Sequence, residues 1–218
     1  MIDSFKRLCC DDQLQKCHTD GSFFTIFTFQ MGNLTEIINH IFSIPEASMD
    51  FLAGQFTASS KRKGDLLLRQ GKLENRLYFI KTGIARAYSI QNDQEITFWF
   101  GTEGAALLSM KSYVFGQPSY EYVELLEDSE LYEINIRALK NFFETDIHIA
   151  NWGRAFAEQE LVKAEERLIS RQFRSAETRY LELMASSPEL IQRVPLQYIA
   201  SYLGITPVSL SRIRAGIS

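Results

Sequence analysis

The chain has 218 residues, a formal net charge of −4 and a hydrophobic content of 45%. These values are ordinary for a globular protein with one large domain or two smaller ones. No apolar run approaches the roughly 20 residues that a membrane-spanning helix needs, so we expect no membrane segment. Residues 1–149 hold 14 basic and 20 acidic side chains, whereas residues 171–218 hold 6 and 3. The basic C-terminal end leaves nucleic acid among the possible partners.

All three cysteines lie in the first 30 residues of the chain, at Cys9, Cys10 and Cys17. A disulfide framework is therefore not expected, and this cysteine usage is typical of a reducing cytoplasm. Together with His18 the thiols match no metal-binding spacing, so we predict neither a metal nor another cofactor. The same stretch makes a poor signal peptide, because acidic residues precede its apolar segment. We predict that residues 1–30 are a disordered or non-native extension.

The middle of the chain changes from helical to strand-like patterns. Two short helices are predicted over 34–44 and 46–57, on either side of Pro45. Short strands punctuated by glycine then follow at 63–71, 77–83, 84–90, 95–100, 120–126 and 129–135, with a turn at Asn92-Asp93 and a helical insert at 105–115. This texture predicts an α+β protein in which residues 31–145 form a domain built on a small β-roll.

Residues 146–173 form the longest uninterrupted helical pattern, which Thr145 or Asp146 can cap. One stripe, Ile149, Trp152 and Phe156, is bulky enough to pack on the roll. A second stripe combines small residues and leucine at heptad spacing: Ala150, Gly153, Ala157, Leu161, Ala164 and Leu168. Such a seam lets two helices approach closely, which predicts a parallel homodimer. The alternative is that the seam packs within its own chain.

The last 25 residues predict two short helices joined by a tight turn. The first helix has an apolar face and ends at Gly204, a residue that readily adopts the left-handed conformation of a helix end. Thr206 can then cap a second helix whose first residue is Pro207. The second helix buries Leu210 and Ile213 and leaves polar and cationic side chains outside. This is the pattern of a helix-turn-helix at 174–218, although an ordinary helical hairpin is the alternative.

Several motifs carry a resemblance that covers roughly residues 33–218. They are Lys-Gly-Asp at 63–65, Gln-Gly at 70–71, Leu-Tyr-Phe-Ile-x-x-Gly at 77–83, Arg-x-Tyr at 86–88 and the segment from Tyr198 to Ile213. With the order of elements, they resemble the Crp/Fnr family of bacterial transcription regulators, in its Bacteroidetes-type form. The resemblance implies that residues 31–145 are a sensor domain with a cyclic-nucleotide-binding-like β-roll. It also implies a cytoplasmic homodimer that binds palindromic double-stranded promoter DNA and contacts RNA polymerase.

An enzyme is not expected, because residues 59–135 contain no histidine for a metal cluster and no nucleophilic triad is visible. Cyclic-nucleotide binding is not expected either. In cyclic-AMP-responsive members a glutamate and an arginine hold the ribose and the phosphate, whereas here Ala105 follows Gly104, and Ser119 and Tyr120 stand where the arginine would fall. Glu121 would repel a phosphate, and a buried phosphate without a cation is costly.

Another small-molecule effector remains possible for the roll. Five side chains either line an apolar effector pocket or belong to the roll core: Phe98, Trp99, Phe100, Met110 and Tyr113. No residue of this set identifies the effector by itself.

The second helix of the terminal pair differs from the recognition helix of familiar Crp/Fnr members at the positions that contact bases. Arg212 alone matches a base-contacting position, and its fork suits guanine O6 and N7. Phosphate or secondary contacts are expected from Gln197, Thr206, Ser209, Ser211 and Arg214. No β-wing is expected after this helix. Because its cationic content is low, a ligand-sensing or protein-interaction β-roll module without specific DNA binding is the alternative.

Overall fold

The computed structural model describes residues 33–217, so the predictions for residues 1–30, including the cysteines, lie outside the described part of the chain. The described chain begins with α1 (Leu34–Ile41) and α2 (Glu46–Ala53). The Asn33 side chain caps α1 by accepting a hydrogen bond from the Thr35 amide at 3.3 Å. Two helices separated by Pro45 are confirmed, but both end earlier than predicted. Phe42 is already extended, and α2 ends at Gly54.

The central part is a β-roll of two antiparallel four-stranded sheets. One sheet has the order β1-β8-β3-β6, and the other has the order β2-β7-β4-β5. Within the described residues the strands are β1 (Thr57–Lys61), β2 (Leu66–Leu68), β3 (Arg76–Thr82), β4 (Ala85–Gln91), β5 (Gln94–Gly101), β6 (Ala106–Leu107), β7 (Tyr122–Leu125) and β8 (Ser129–Asn135). The predicted succession of short strands is confirmed.

The hairpin between β4 and β5 turns through Asn92 and Asp93, as predicted. Both residues have positive φ angles, 51° and 59°. Two consecutive left-handed residues give the type I′ geometry that matches the twist of the two strands, and Asn and Asp tolerate it better than most residues. The prediction of a helix over 105–115 is wrong in its first half. There Leu107 is buried in β6 opposite Tyr78, and only α3 (Met110–Phe115) is helical.

Two helices follow the roll, α4 (Ile136–Thr145) and the 27-residue α5 (Ile147–Phe173). Asp146 caps α5 by accepting hydrogen bonds from the amides of His148 and Ile149. The predicted bulky stripe of α5 does pack on the roll. Ile149 and Trp152 are fully buried in one cluster with Phe79, and the Trp152 indole donates to the carbonyl of Ile38 at 3.0 Å.

Four shorter helices complete the described chain: α6 (Ala176–Ser186), α7 (Pro188–Arg193), α8 (Leu196–Leu203) and α9 (Pro207–Ile217). Their apolar side chains form a cluster around Tyr180, Ile199 and Leu203. Ile84 and Leu126 of the roll belong to the same cluster, so the C-terminal helices share a core with the roll. A helix both long and apolar enough to span a membrane is not found between residues 33 and 217.

Candidate nucleic-acid interface

The terminal helix pair, α8 and α9, has the geometry that the sequence predicts for its turn. Gly204 ends α8 with a φ of 67°, and the amide of Ile205 donates to the carbonyl of Ala200 at 3.0 Å. The Thr206 hydroxyl accepts a hydrogen bond from the Ser209 amide at 3.1 Å, which caps α9. Leu210 is buried in the cluster beneath, so the orientation of α9 is fixed from inside the chain.

The outward face of α9 carries most of the residues predicted to contact DNA. Arg212, Arg214 and Ser211 are exposed, and so are Thr206 in the turn and Gln197 on α8. Ser209 is half-buried. Ser211 donates its hydroxyl to the carbonyl of Pro207 at 3.0 Å, so part of its hydrogen-bonding capacity is used within the helix. The six predicted residues therefore lie close together in the chain, with Arg212 pointing away from the shared core.

The opposite side of the pair packs on the roll through Arg86, the arginine of the Arg-x-Tyr motif at 86–88. The Arg86 side chain is 2% exposed and makes ion pairs with Glu95 and Glu124 at 2.5 and 2.8 Å. Its guanidinium lies 3.6 Å from the ring centre of Tyr198 on α8 and 4.2 Å from that of Tyr88. Burial alone would lower the pKa of Arg86, but the hydrogen bonds that its guanidinium donates to the two carboxylates outweigh burial and raise the pKa.

Further contacts join α8 to the same edge of the roll. The Ser201 hydroxyl donates to the carbonyl of Glu95 at 3.0 Å and accepts from the amide of Thr97 at 2.9 Å. The rings of Phe100 and Tyr202 lie 5.3 Å apart. Ser201 thereby hydrogen-bonds to a carbonyl and an amide of β5 that lie two residues apart on one edge of the strand, which fixes the position of α8 along that strand.

A second ionic contact lies at the end of α7. Arg193 pairs with Glu103 at 3.0 Å and also with Glu127, both of which belong to the roll. Glu103 accepts a hydrogen bond from the amide of Gly83, which ties this contact to the turn between β3 and β4. The sequence signal that could have indicated this interface is Arg86, a charged residue between the small apolar residues Ala85 and Ala87. A charged side chain is rarely buried unless it is paired.

The predicted seam of α5 divides into two parts. Gly153 packs within its own chain, because a Cβ atom there would lie 2.6 Å from the Phe143 ring on α4, and Ala150 is half-buried beside it. Close packing at Gly153 is thus explained without a second subunit. The rest of the seam is exposed: Ala157, Leu161, Ala164 and Leu168, of which the two leucines are 69% and 64% accessible.

The five residues considered for an effector pocket or for the roll core lie in different clusters. Phe98 and Trp99 pack against the roll interior, Phe100 joins the cluster shared with α8, and Tyr113 packs against the cluster around Trp152. Met110 is exposed. Strict alternation is interrupted in β5, because Ala87 pairs with Trp99 and Tyr88 with Thr97, so Phe98 is the extra residue of a bulge. Met110 and Tyr113 belong to a different element, α3. Phe98 does line an open groove of about 360 Å³ together with Ser89, Gln91, Ile96, Tyr120 and Arg171.

The loop that leads into β7 contains a buried acid. Glu121 is 5% exposed. Burial raises the pKa of this carboxyl, while hydrogen bonds from Ser109, Tyr120 and Ser119 act in the opposite direction. Ser119 also accepts from the Glu121 amide at 3.1 Å, so the loop is closed on itself. The buried charged group of this loop is therefore a carboxyl.

The roll has the fold of a known class of domain. Residues 59–146 match the family model described as the cyclic nucleotide-binding domain. Solved structures with a similar fold include FixK2 from Bradyrhizobium japonicum, at 20% identity over 74% of this chain and 84% of that chain, with a TM-score of 0.62. The regulator CLP from Xanthomonas campestris is 16% identical over 79% and 91% of the two chains, with a TM-score of 0.60.

The catabolite activator protein of Thermus thermophilus also has a similar fold, at 18% identity over 83% of this chain and 86% of that chain, with a TM-score of 0.52. At these identities the similarity establishes the fold. A comparison with curated protein sequences finds no significant match.

Proposed function

We propose that the chain is a sequence-specific, DNA-binding transcription regulator of the Crp/Fnr type that acts as a homodimer. The observation that carries the proposal is the orientation of α9, where Leu210 is buried and Arg212, two residues further along the capped helix, is exposed. An exposed arginine on a helix fixed from beneath suits bidentate recognition of guanine in the major groove. The fold similarity adds support, since two similar structures are described as a catabolite activator protein and a global regulator linked to gene expression.

This proposal gives each of three segments of the chain a separate role. We assign residues 31–145 to a sensor domain, residues 146–173 to a dimerisation helix and residues 174–218 to a helix-turn-helix domain. The family resemblance further implies contact with RNA polymerase and a cytoplasmic location. The low number of cations on α9 predicts modest affinity for DNA of unrelated sequence, because that affinity arises chiefly from phosphate contacts.

The decisive experiment is selection of fragments from the source genome by the purified protein, followed by gel shifts at several salt concentrations. We expect a palindromic site in which Arg212→Ala costs on the order of 1–3 kcal/mol at one base position. Uniform weakening over all sequences would make Arg212 a phosphate contact instead. Binding that never becomes sequence-selective would contradict the proposal and favour a ligand-sensing or protein-interaction module.

The dimer is supported by the exposed half of the seam. Leu161 and Leu168 are seven residues apart and largely accessible, the spacing at which a parallel coiled coil repeats. Leu161→Glu should therefore convert the dimer to a monomer in sedimentation equilibrium. Leu73→Glu is the matched control, because Leu73 is 62% exposed on a loop of the roll. A wild-type protein that is monomeric at working concentrations would contradict the dimer.

We propose in addition that the sensor domain does not bind cyclic nucleotides, although another small-molecule effector is compatible with it. The buried Glu121 supports this, because bringing a cyclic phosphate beside a carboxyl without a cation costs desolvation and repulsion together. Calorimetry with cyclic AMP and cyclic GMP should show no binding in the micromolar range. Micromolar binding of either nucleotide would refute this part of the proposal.

A further inference from the structure

The outward face of α9 pairs an apolar side chain with a cation. Val208 is 62% exposed at the second position of the helix, and Arg212 follows four residues later. Residues at this spacing lie one above the other on the same helix face. The exposed face is therefore not simply cationic, since its first turn presents the methyl groups of a valine to the surroundings.

The hydroxyl groups near Val208 are already engaged within the helix. Thr206 caps the Ser209 amide and lies 3.0 Å from the Ser209 hydroxyl. Ser211 donates to the carbonyl of Pro207 at 3.0 Å, and a hydroxyl has only one proton to donate. Val208 and Arg212 are therefore the side chains of this face that can best distinguish one base edge from another.

Each of these two side chains matches one feature of the major groove. The C5-methyl group of thymine is the apolar group that a base pair presents there, and guanine presents the acceptor pair O6 and N7 that suits arginine. We propose that Val208 is a specificity residue that contacts a thymine methyl group beside the guanine contacted by Arg212. This inference rests on the proposed function, and it names a base preference that the cation alone does not give.

The spacing of the two contacts follows from helix geometry. One turn of α-helix rises 5.4 Å, and bases along one DNA strand are about 3.4 Å apart. The thymine is therefore one or two base steps from the guanine in each half-site. Val208 contributes no hydrogen bond, so the preference is for the methyl group itself.

The test uses the selected site with each thymine of the half-site replaced in turn by deoxyuridine, which lacks only that methyl group. Wild-type protein should bind about fourfold more weakly at one position near the guanine, the effect of losing one buried methyl group. Val208→Ala should bind thymine and uracil sites equally. Leu73→Ala, in which an equally exposed apolar side chain is shortened on the roll, should keep the fourfold preference.

Two failures are distinguishable. If selected sites exist but uracil is tolerated at every position, or if Val208→Ala retains the preference, this inference is wrong and the proposed regulator stands. If no fragment is bound selectively, the proposed function fails and this inference fails with it. Val208→Thr keeps one methyl group and the branched shape, so it should retain an intermediate preference for thymine over uracil. Selective binding by this variant also shows that a substitution at this position leaves the protein folded.

Discussion

Removing the guanidinium of Arg86 should loosen α8 from the roll. Arg86→Ala leaves the carboxylates of Glu95 and Glu124 facing each other without their shared cation and uncovers the ring of Tyr198. Breaking a buried ion pair by removing one partner costs 3–5 kcal/mol in general. Since the Glu95 side chain is 46% exposed and retains access to water, we expect about 3 kcal/mol, near the lower end of that range.

The contribution of the ring is separated by a double-mutant cycle. Tyr198→Leu removes the aromatic face over the guanidinium, and a desolvated contact of this kind is worth up to about 2 kcal/mol. The coupling energy between Arg86→Ala and Tyr198→Leu should accordingly be about 1–2 kcal/mol. Tyr198→Phe keeps the ring and should behave like the wild type, which makes it the matched control.

Urea unfolding followed by the fluorescence of Trp99 and Trp152 measures the free energies for the cycle, and hydrogen exchange of the α8 amides localises the change. We expect faster exchange over α8 in Arg86→Ala than in Tyr198→Phe. A coupling energy below about 0.5 kcal/mol, the level at which independent sites add, would show that Arg86 does not hold α8 through Tyr198.

The remaining predictions concern the roll. Gly83→Ala should destabilise the protein by about 3 kcal/mol in denaturant unfolding, because the new Cβ would lie 2.1 Å from the Ser129 hydroxyl at a φ of +121°. Gly71→Ala, which meets nothing within 4 Å at a φ of +78°, should cost only about 1 kcal/mol, and equal losses would refute the steric explanation. Burial raises the pKa of Glu121 above its ordinary value of 4.5, so the native state holds this proton more tightly than the unfolded chain and loses stability as the pH rises through the raised pKa. Glu121→Gln should therefore raise the melting temperature at neutral pH, by a margin that shrinks as the pH falls toward 4.5; a margin independent of pH would contradict this.

Much of the fold could be predicted from local patterns. The turn at Asn92-Asp93 and the end of α8 at Gly204 depend on residues that tolerate left-handed backbone, and both form as expected. The stripe of Ile149 and Trp152 on α5 was readable from its helical spacing. The error over 105–115 arose because a two-residue strand leaves no periodic signal, and its pairing with β3 depends on a distant segment.

The candidate site was predicted less completely. Helical spacing indicated that Leu210 is buried and that Arg212 points outward, since one face of a short capped helix must cover the core. The sequence did not predict that the terminal helix pair is attached to the roll through Arg86 and Ser201. These contacts join residues about a hundred positions apart in the chain.

The sequence by itself determined the local elements of this protein: the capped turns, the alternation of the strands and the outward direction of Arg212. Each of these depends on interactions within a few residues, where backbone preference and hydrophobic spacing suffice. Only the tertiary structure decided that Gly153 packs on Phe143, that Glu121 is buried in the loop that leads into β7 and that Tyr198 covers Arg86. The physical reason is that desolvation and close packing depend on which distant surfaces meet, and no local pattern specifies that meeting.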